Sequence, residues 1–442
     1  MKKAIRKAAT SLALIVIVAT CVRAGFAWDQ ARKIPAGVLG TIPFQQETGS
    51  IAYALAQGRG FSNVFRTETG PTAWLAPVYP LLVAATFKMF GIFTTRAFYA
   101  CVACNILFST AACVPIFYAG KRIWGQGVAS GAAWLWALFP NAIVMPFEWI
   151  WDTSLSALMA ATLLWATLAL SDSKRVRDWC AYGLLWGLAL MTNPALGALL
   201  PFLLGWAGWS ACHDCAGRRF AWKRVALAAG VAFLCCLPWT IRNYDVFHQL
   251  IPLRSNLPFE LWLGNNDIFD EHARNGRKSI TRAEEVRAYT RLGETAFMHE
   301  KWELAMSFMK THPDLELRLT GKRIVAFWMG IESPVKNFRE THSILARVIL
   351  LASFFTAIGA LFGMAGLCRK RLATAFPLGV FPVLFPCLYY VTHADLRYRH
   401  PIDPVVCILT ALAVGQLLAF VVSRRRTARS EDIISSRTSP NR

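Results

Sequence analysis

Charged side chains are scarce in this sequence: Asp, Glu, Lys and Arg together make up 17% of 442 residues, against about a quarter in an ordinary soluble domain. Acids are the scarcer kind, 26 against 47 Lys and Arg. So little polar surface excludes a soluble enzyme. With 55% hydrophobic residues and a mean hydropathy of +0.39, a disordered chain is excluded too. No Gly-rich phosphate loop follows a strand-like run, and no internal repeat is evident. Cys212-His-Asp-Cys215 is one CxxC in a basic loop and by itself a weak zinc motif. None of the eight His adjoins a nucleophile motif, which leaves no Ser-His-Asp arrangement. The 12 Cys lie mostly inside apolar runs (Cys101, Cys104, Cys113, Cys235, Cys236, Cys407) and read as small hydrophobes.

Long apolar runs are plentiful, and in lipid they must be helical. They predict an all-α polytopic membrane protein with about ten spans, near 8–27, 97–119, 128–147, 153–170, 179–192, 195–211, 225–241, 344–367, 373–391 and 401–422. The fifth and sixth are short and meet at Thr192, Asn193 and Pro194, as in a tight hairpin. A basic stretch before the first run is reminiscent of a signal peptide, but Arg23, Phe26 and Trp28 make a poor cleavage site. With ten spans, the clusters at Lys2/Lys3/Arg6/Lys7, Lys121/Arg122, Lys174/Arg175/Arg177, Arg218/Arg219/Lys223/Arg224, Arg369/Lys370/Arg371 and Arg424/Arg425/Arg426 share one side. The positive-inside rule makes that side the cytoplasm. The net charge of +21 is then an orientation signal, with no nucleic-acid partner needed. Residues 71–94 are apolar enough to span, but a span there would invert every later cluster. Pro77, Pro80 and Lys88 favour an interfacial or re-entrant helix.

This predicts an N-terminal membrane module over 1–241 with a first outer loop at 28–96 and an outer helical lobe over 242–342. C-terminal membrane helices follow over 343–423, and then a disordered basic tail over 424–442. In the lobe, Thr281-Arg-Ala-Glu284 looks like a capping box, and a helix is expected over 314–328.

Acids and cations near span ends on the outer side are the candidate chemistry. Glu47 precedes a helix-like apolar run, where the dipole stabilises an anion; it is a candidate general base or an ordinary first-turn acid. Glu148 and Asp152 flank Trp149 and Trp151 ahead of a span; Asp152 is otherwise an N-cap. Arg397, Tyr398, Arg399 and His400 breach the positive-inside rule, which an anionic ligand would explain. Arg242, Arg254 and Asn256 stand near the outer end of the seventh span. Lys322 and Arg323 rank lower, on a helix far along the chain from a span end. Phospholipid headgroup binding is the plainer explanation for each cation.

The stretches ETGSIAYALAQGRGFS, TGPTAWLAPVYPLLVAATFKMFG, WALFPNAIVMPFEWIWDTSLSALM, LWGLALMTNPALGALLPF, LPWTIRNYDVFHQLIPLRSNLPFELWLGNN and RYRHPIDPV occur in this order. The chain thereby resembles the GT-C superfamily of membrane glycosyltransferases, family 39, the dolichyl-phosphate-mannose-protein mannosyltransferase-like group. The resemblance implies a GT-C-like bundle with interfacial helices in the first outer loop. It implies an inverting transfer of a monosaccharide from a polyprenyl-phosphate donor to a protein, lipid or glycan acceptor, on the outer face of a bacterial cytoplasmic membrane. It places a catalytic acid in the first outer loop, often Asp or Asp-Glu. Here Gln46-Glu47 stands there, so Glu47 carries the role, with Asp29 and Glu68 as the other acids of the loop. A second acid falls on Asp152, or on Glu148. Arg242, Arg397, Arg399, His400 and Tyr398 would hold the donor phosphate. Glu148, Trp151, Arg254 and Asn256 would meet sugar or acceptor. No cofactor is required; a divalent cation is compatible with the scheme. The competing classes are a polyprenyl-linked saccharide flippase or other transporter, and a noncatalytic assembly subunit.

Overall fold

The computed structural model describes residues 10–212, 215–266, 283–330 and 343–438. Among them there are helices, and the only β pairing is an isolated bridge between Ser62 and Pro71. Helix α1 (Leu12–Ala31) leads into a loop holding α2 (Ala36–Thr41), α3 (Glu47–Ala56) and α4 (Val78–Phe90). Next come α5 (Thr95–Ala111), α6 (Cys113–Trp124), α7 (Gln126–Ala137), α8 (Pro140–Glu148), α9 (Thr153–Leu170), α10 (Val176–Thr192) and α11 (Leu200–Ser210). The long α12 (Cys215–Phe247) runs into a lobe of α13 (Leu257–Gly264), α14 (Ala283–Leu292), α15 (Glu294–Thr311) and α16 (Pro313–Met329). The chain returns through α17 (Ile344–Lys370), α18 (Leu372–Leu384), α19 (Cys387–Val391), α20 (Leu396–Arg399) and α21 (Asp403–Thr438).

Among the described residues, seven helical stretches are long and apolar enough to cross a membrane, or eight if α7 and α8, bent by 42°, form one span. The expected ten runs are all helical, and the shortfall lies at the fifth and sixth. Helix α10 has 17 residues, and α11 has 11 after a 3-10 turn at Pro194–Leu199. Asn193 makes the expected corner, its side chain accepting from the Ala195 amide at 3.1 Å. Both arms pack on α12. A Cβ at Gly183 would stand 2.5 Å from the Ala228 carbonyl oxygen, and one at Gly187 would stand 2.4 Å from the Cys235 Cβ. Small residues allow such close approach where lipid supplies no hydrophobic drive.

In residues 71–94 the helix is α4, with 13 residues ending at Gly91 (φ 94°). At 1.5 Å per residue it is about 20 Å long, short of the ~30 Å hydrocarbon core. The helix expected over 314–328 is α16. The capping box begins outside the described residues, and α14 is described from Ala283. The tail expected to be disordered keeps a helical backbone to Thr438 as part of α21. No Gly or Pro interrupts residues 424–438; Pro440 is the first breaker.

Arg23 on α1 is fully buried. The break between α7 and α8 frees backbone carbonyls, and Arg23 takes them. Its Nη2 donates to Trp136 O at 3.1 Å, its Nη1 to Ala137 O at 2.9 Å, and its Nε to Ser109 Oγ at 2.9 Å. An intramembrane cation here serves as a helix C-cap supplied by another helix.

The two ends of the bundle differ. At one, Arg122 bonds Ser171 Oγ (2.9 Å) and pairs with Asp172, Arg371 donates to Ile123 O (2.9 Å), and Trp206 donates to Ala373 O (2.7 Å). The basic clusters near 122, 174, 223 and 371 thus gather together. At the other end the lobe sits on the first loop. Arg242 donates to Thr72 O and Phe61 O, both at 2.8 Å. Glu294, at the start of α15, accepts from the Ala73 amide (2.7 Å), Ser255 Oγ (2.6 Å), Tyr289 OH (2.6 Å) and the Thr72 hydroxyl. Burial, with the Glu294 charge beside it, holds the Tyr289 phenol protonated far above its usual range.

Candidate active site

Three chain segments converge where α9 begins. The first is the turn between α8 and α9, carrying Trp149, Trp151 and Asp152. Asp152 is the N-cap residue of α9, but its carboxylate accepts from Ser156 Oγ, one turn on, at 2.8 Å. Asn193, at the corner of the α10 hairpin, donates to Ser156 at 3.3 Å, so the hairpin braces this acid from behind. Asp152 is half-buried, and desolvation raises its carboxyl above the ordinary range. Ser156, Arg254 and Arg397 pull the other way.

The second segment carries half-buried Arg254 and leads into α13. Asn256 caps α13 and donates to Glu260 Oε1 at 2.8 Å, while its own Oδ1 is buried without a hydrogen-bond partner.

The third segment runs from α19 to α20. Arg397 lies over the rings of Trp149 (4.6 Å), Tyr398 (4.7 Å) and Trp151 (5.6 Å), and its Nη2 donates to Tyr398 OH at 2.7 Å. Its Nε is buried with no hydrogen-bond partner among the described residues. Tyr398 stacks on Tyr389 at 4.8 Å and bonds His393 Nε2 at 2.8 Å. His393 Nε2 also stands 3.5 Å from Glu260 Oε2. Burial lowers the pKa of His393; Glu260 opposes that and Arg397 adds to it. The spacing between α13 and this loop is fixed by contact: a Cβ at Gly264 would stand 1.8 Å from Thr392 O. Arg323 staples both pieces, donating to Gly264 O (2.7 Å), Asn265 Oδ1 (2.8 Å) and Val391 O (3.1 Å). The fold brings Arg323 here from a helix far along the chain from a span end.

Glu47 is the first residue of α3 and only 8% exposed. The other acids of the loop face water: Asp29 pairs with Arg32 and Lys33, and the Glu68 side chain is 87% exposed. Ile51, one turn after Glu47 on the same face, belongs to the cluster of Trp74, Phe259 and Trp262 on which Trp151 packs. That is how the first loop is joined to the Asp152 segment.

Other expected residues stand elsewhere. Arg399 is fully buried; its Nη1 donates to Trp328 O (2.6 Å) and Ser353 O (3.0 Å), its Nη2 to Thr356 Oγ1 (2.8 Å), and its Nε pairs with Asp403 at 2.7 Å. This guanidinium is closed to a phosphate. His400 is fully buried too, stacked on Trp136 at 5.3 Å and 3.6 Å from Asp403. Arg242 is engaged with loop carbonyls and the rings of Trp239, Phe61 and Phe247. Glu148 ends α8 on an exposed face. Sequence reading missed Glu260 and His393 as site members. The Asn256–Glu260 spacing of four at a helix start was the available signal. Among the described residues no three His, Cys, Asp or Glu side chains form a metal-binding group. Half of the CxxC motif, His213 and Asp214, lies outside the described residues.

Residues 71–241 match the family model described as dolichyl-phosphate-mannose-protein mannosyltransferase. The oligosaccharyltransferase of Archaeoglobus fulgidus, solved with Zn and sulfate, superposes with a TM-score of 0.54 at 14% identity, over 96% of this chain and 51% of that one. The fold is that of the GT-C membrane glycosyltransferases. The same archaeal enzyme, AglB, in complex with an inhibitory peptide and a dolichol-phosphate, gives 0.54 at 14% identity over 98% and 52%. ArnT from Cupriavidus metallidurans, bound to undecaprenyl phosphate, gives 0.50 at 13% identity over 86% and 58%. The chain thus spans about half the length of these GT-C structures. No curated protein matches the sequence. In GT-C terms, the matched family segment contains Asp152 and its flanking Trp residues, whereas Glu47, Arg254 and Arg397 fall outside it.

Proposed function

We propose that this protein is an inverting glycosyltransferase that moves a monosaccharide from a polyprenyl-phosphate donor to an acceptor hydroxyl at the lobe end of the bundle, on the outer face of a bacterial cytoplasmic membrane. The observation that carries the reading is Arg397: a half-buried, aromatic-caged guanidinium whose buried Nε is unused, in electrostatic reach of half-buried Asp152. A phosphate would supply the missing acceptor, and Arg is suited to its planar oxygens. The family match and the lipid phosphates named in the two neighbours agree with this.

Glu47 takes the proton of the acceptor hydroxyl as its oxygen attacks the anomeric carbon from the side opposite the phosphate. The glycosyl C–O bond breaks, and the electron pair leaves with the lipid phosphate. Arg397, with Arg254 beside it, meets that growing charge. Asp152 holds both cations in place, and Trp151 offers a face to the sugar. Glu260 and His393 fix Tyr398 and through it Arg397. In this scheme Arg397 and Arg254, rather than Arg399 and His400, donate to the phosphate oxygens.

Binding of undecaprenyl phosphate to the purified protein tests the reading without knowledge of the sugar. Arg397→Gln is expected to weaken binding by roughly 10- to 100-fold, the range of a charged hydrogen bond; affinity equal to wild type removes the phosphate role. Acid pH gives a second check. As pH falls through the raised range of Asp152, its carboxylate is protonated and no longer neutralises Arg254 and Arg397, so lipid-phosphate affinity rises. Asp152→Asn lacks that component. Identical pH profiles for the two proteins would count against the coupling.

One observation bears on transport: Arg23, Arg399 and Asp403 are charges inside the bundle, beside a broken helix. Every nitrogen of the two guanidiniums is engaged by protein oxygens, which makes them staples of the fold rather than a path for cargo.

A further inference from the structure

We infer that the basic end of the bundle carries a binding site for an anionic phospholipid of the adjoining leaflet, separate from the site at the lobe end. A cavity of about 920 Å³ opens there between the ends of α6, α9, α11, α12 and α18. It lies one length of α9 away from Asp152, about 27 Å for 18 residues.

The lining combines three indoles with one oriented cation. Trp206 is fixed by its bond to Ala373 O at 2.7 Å. Trp209 and Trp222 also line the cavity and keep 59% and 47% of their surface exposed. Indoles at the headgroup level are ordinary for a membrane protein and would not by themselves mark a site. Arg122 adds the second observation. Its Nη2 is held by Ser171 Oγ at 2.9 Å and by the Asp172 carboxylate. Its Nη1 and Nε have no hydrogen-bond partner among the described residues, and its side chain is 36% exposed. A guanidinium oriented by a carboxylate on one edge presents the other to a phosphodiester in fork geometry. Asp172 lines the cavity as well, but it is paired with Arg122, and Lys121, Lys223 and Arg224 adjoin the lining residues in sequence. The rim is therefore positive. Basic pockets between membrane helices favour anionic headgroups, each cation near the surface contributing about 1 kcal/mol. The glycerol and upper acyl chains would rest on the indoles, the phosphate on Arg122.

The test is native mass spectrometry of the full chain released from nanodiscs holding equal amounts of phosphatidylglycerol and phosphatidylcholine. Wild type is expected to retain phosphatidylglycerol about fivefold over phosphatidylcholine, the ratio equivalent to one such cation. Arg122→Gln should bring the ratio close to one. Ser171→Ala, which removes one group orienting the guanidinium, should lower it in protein whose melting temperature is unchanged. Arg59→Gln, at the opposite end, should leave it alone. Equal retention of the two lipids by wild type, or a wild-type ratio in both Arg122→Gln and Ser171→Ala, would overturn the assignment.

Discussion

Exchanging Glu47 for Gln is expected to reduce sugar transfer by on the order of 10²- to 10⁴-fold, the usual contribution of a positioned acid or base, while binding of undecaprenyl phosphate stays within about twofold of wild type, because the charged hydrogen bonds that carry it are made elsewhere. The exchange keeps size and hydrogen-bonding capacity at the first turn of α3, so it removes the charge and the proton-accepting function alone. Its effect on stability is expected to be small, about 0.3–1 kcal/mol from the lost interaction with the helix dipole. Glu47 is the buried acid of residues 28–96, with Asp29 and Glu68 facing water. Asp29→Asn and Glu68→Gln therefore serve as controls that retain activity. Transfer by Glu47→Gln at the wild-type rate, from a donor of the kind proposed, would mean that another group takes the proton.

Arg399→Met is expected to act on the fold rather than on the ligand. Removing one partner of a buried ion pair costs about 3–5 kcal/mol, because the other charge is left without compensation; here that charge is Asp403, which is fully buried. The loss should appear as a marked fall in melting temperature and in yield from membranes. Protein that remains folded should bind undecaprenyl phosphate as wild type does. The double exchange Arg399→Met with Asp403→Leu should recover much of the stability. A variant that melts normally but no longer binds the lipid phosphate would return Arg399 to the site. Arg397 and Arg399, two residues apart, thus have opposite expected signatures.

That pair shows what the sequence could and could not give. A breach of the positive-inside rule singled out RYRH as a stretch needing an explanation. It could not divide the stretch, because a helical turn sends neighbouring side chains in different directions and the partners that decide their fates, Trp328, Ser353 and Thr356 for one and Trp149 and Trp151 for the other, are remote in sequence. The spans were legible because apolar length is a property of contiguous residues. The hairpin at Asn193 was legible for the same reason, since its corner residues are local. Glu260 and His393 escaped notice because they meet through a contact across more than a hundred residues. Arg23 carried a visible signal, a cation in the middle of an apolar run, but its partners are carbonyls, which have no letter in the sequence.

The capping of a broken helix by Arg23 also bears on how the chain is made. The first segment leaves the ribosome more than a hundred residues before Trp136 and Ala137, whose oxygens receive its guanidinium. On insertion scales an arginine near the centre of such a segment costs about 2.5–3.5 kcal/mol. Until the seventh helix is synthesised, the nascent first helix has to keep this side chain in contact with water or with the insertion machinery. Its final seating therefore belongs to a late step of biogenesis, although α1 is translated well before α7.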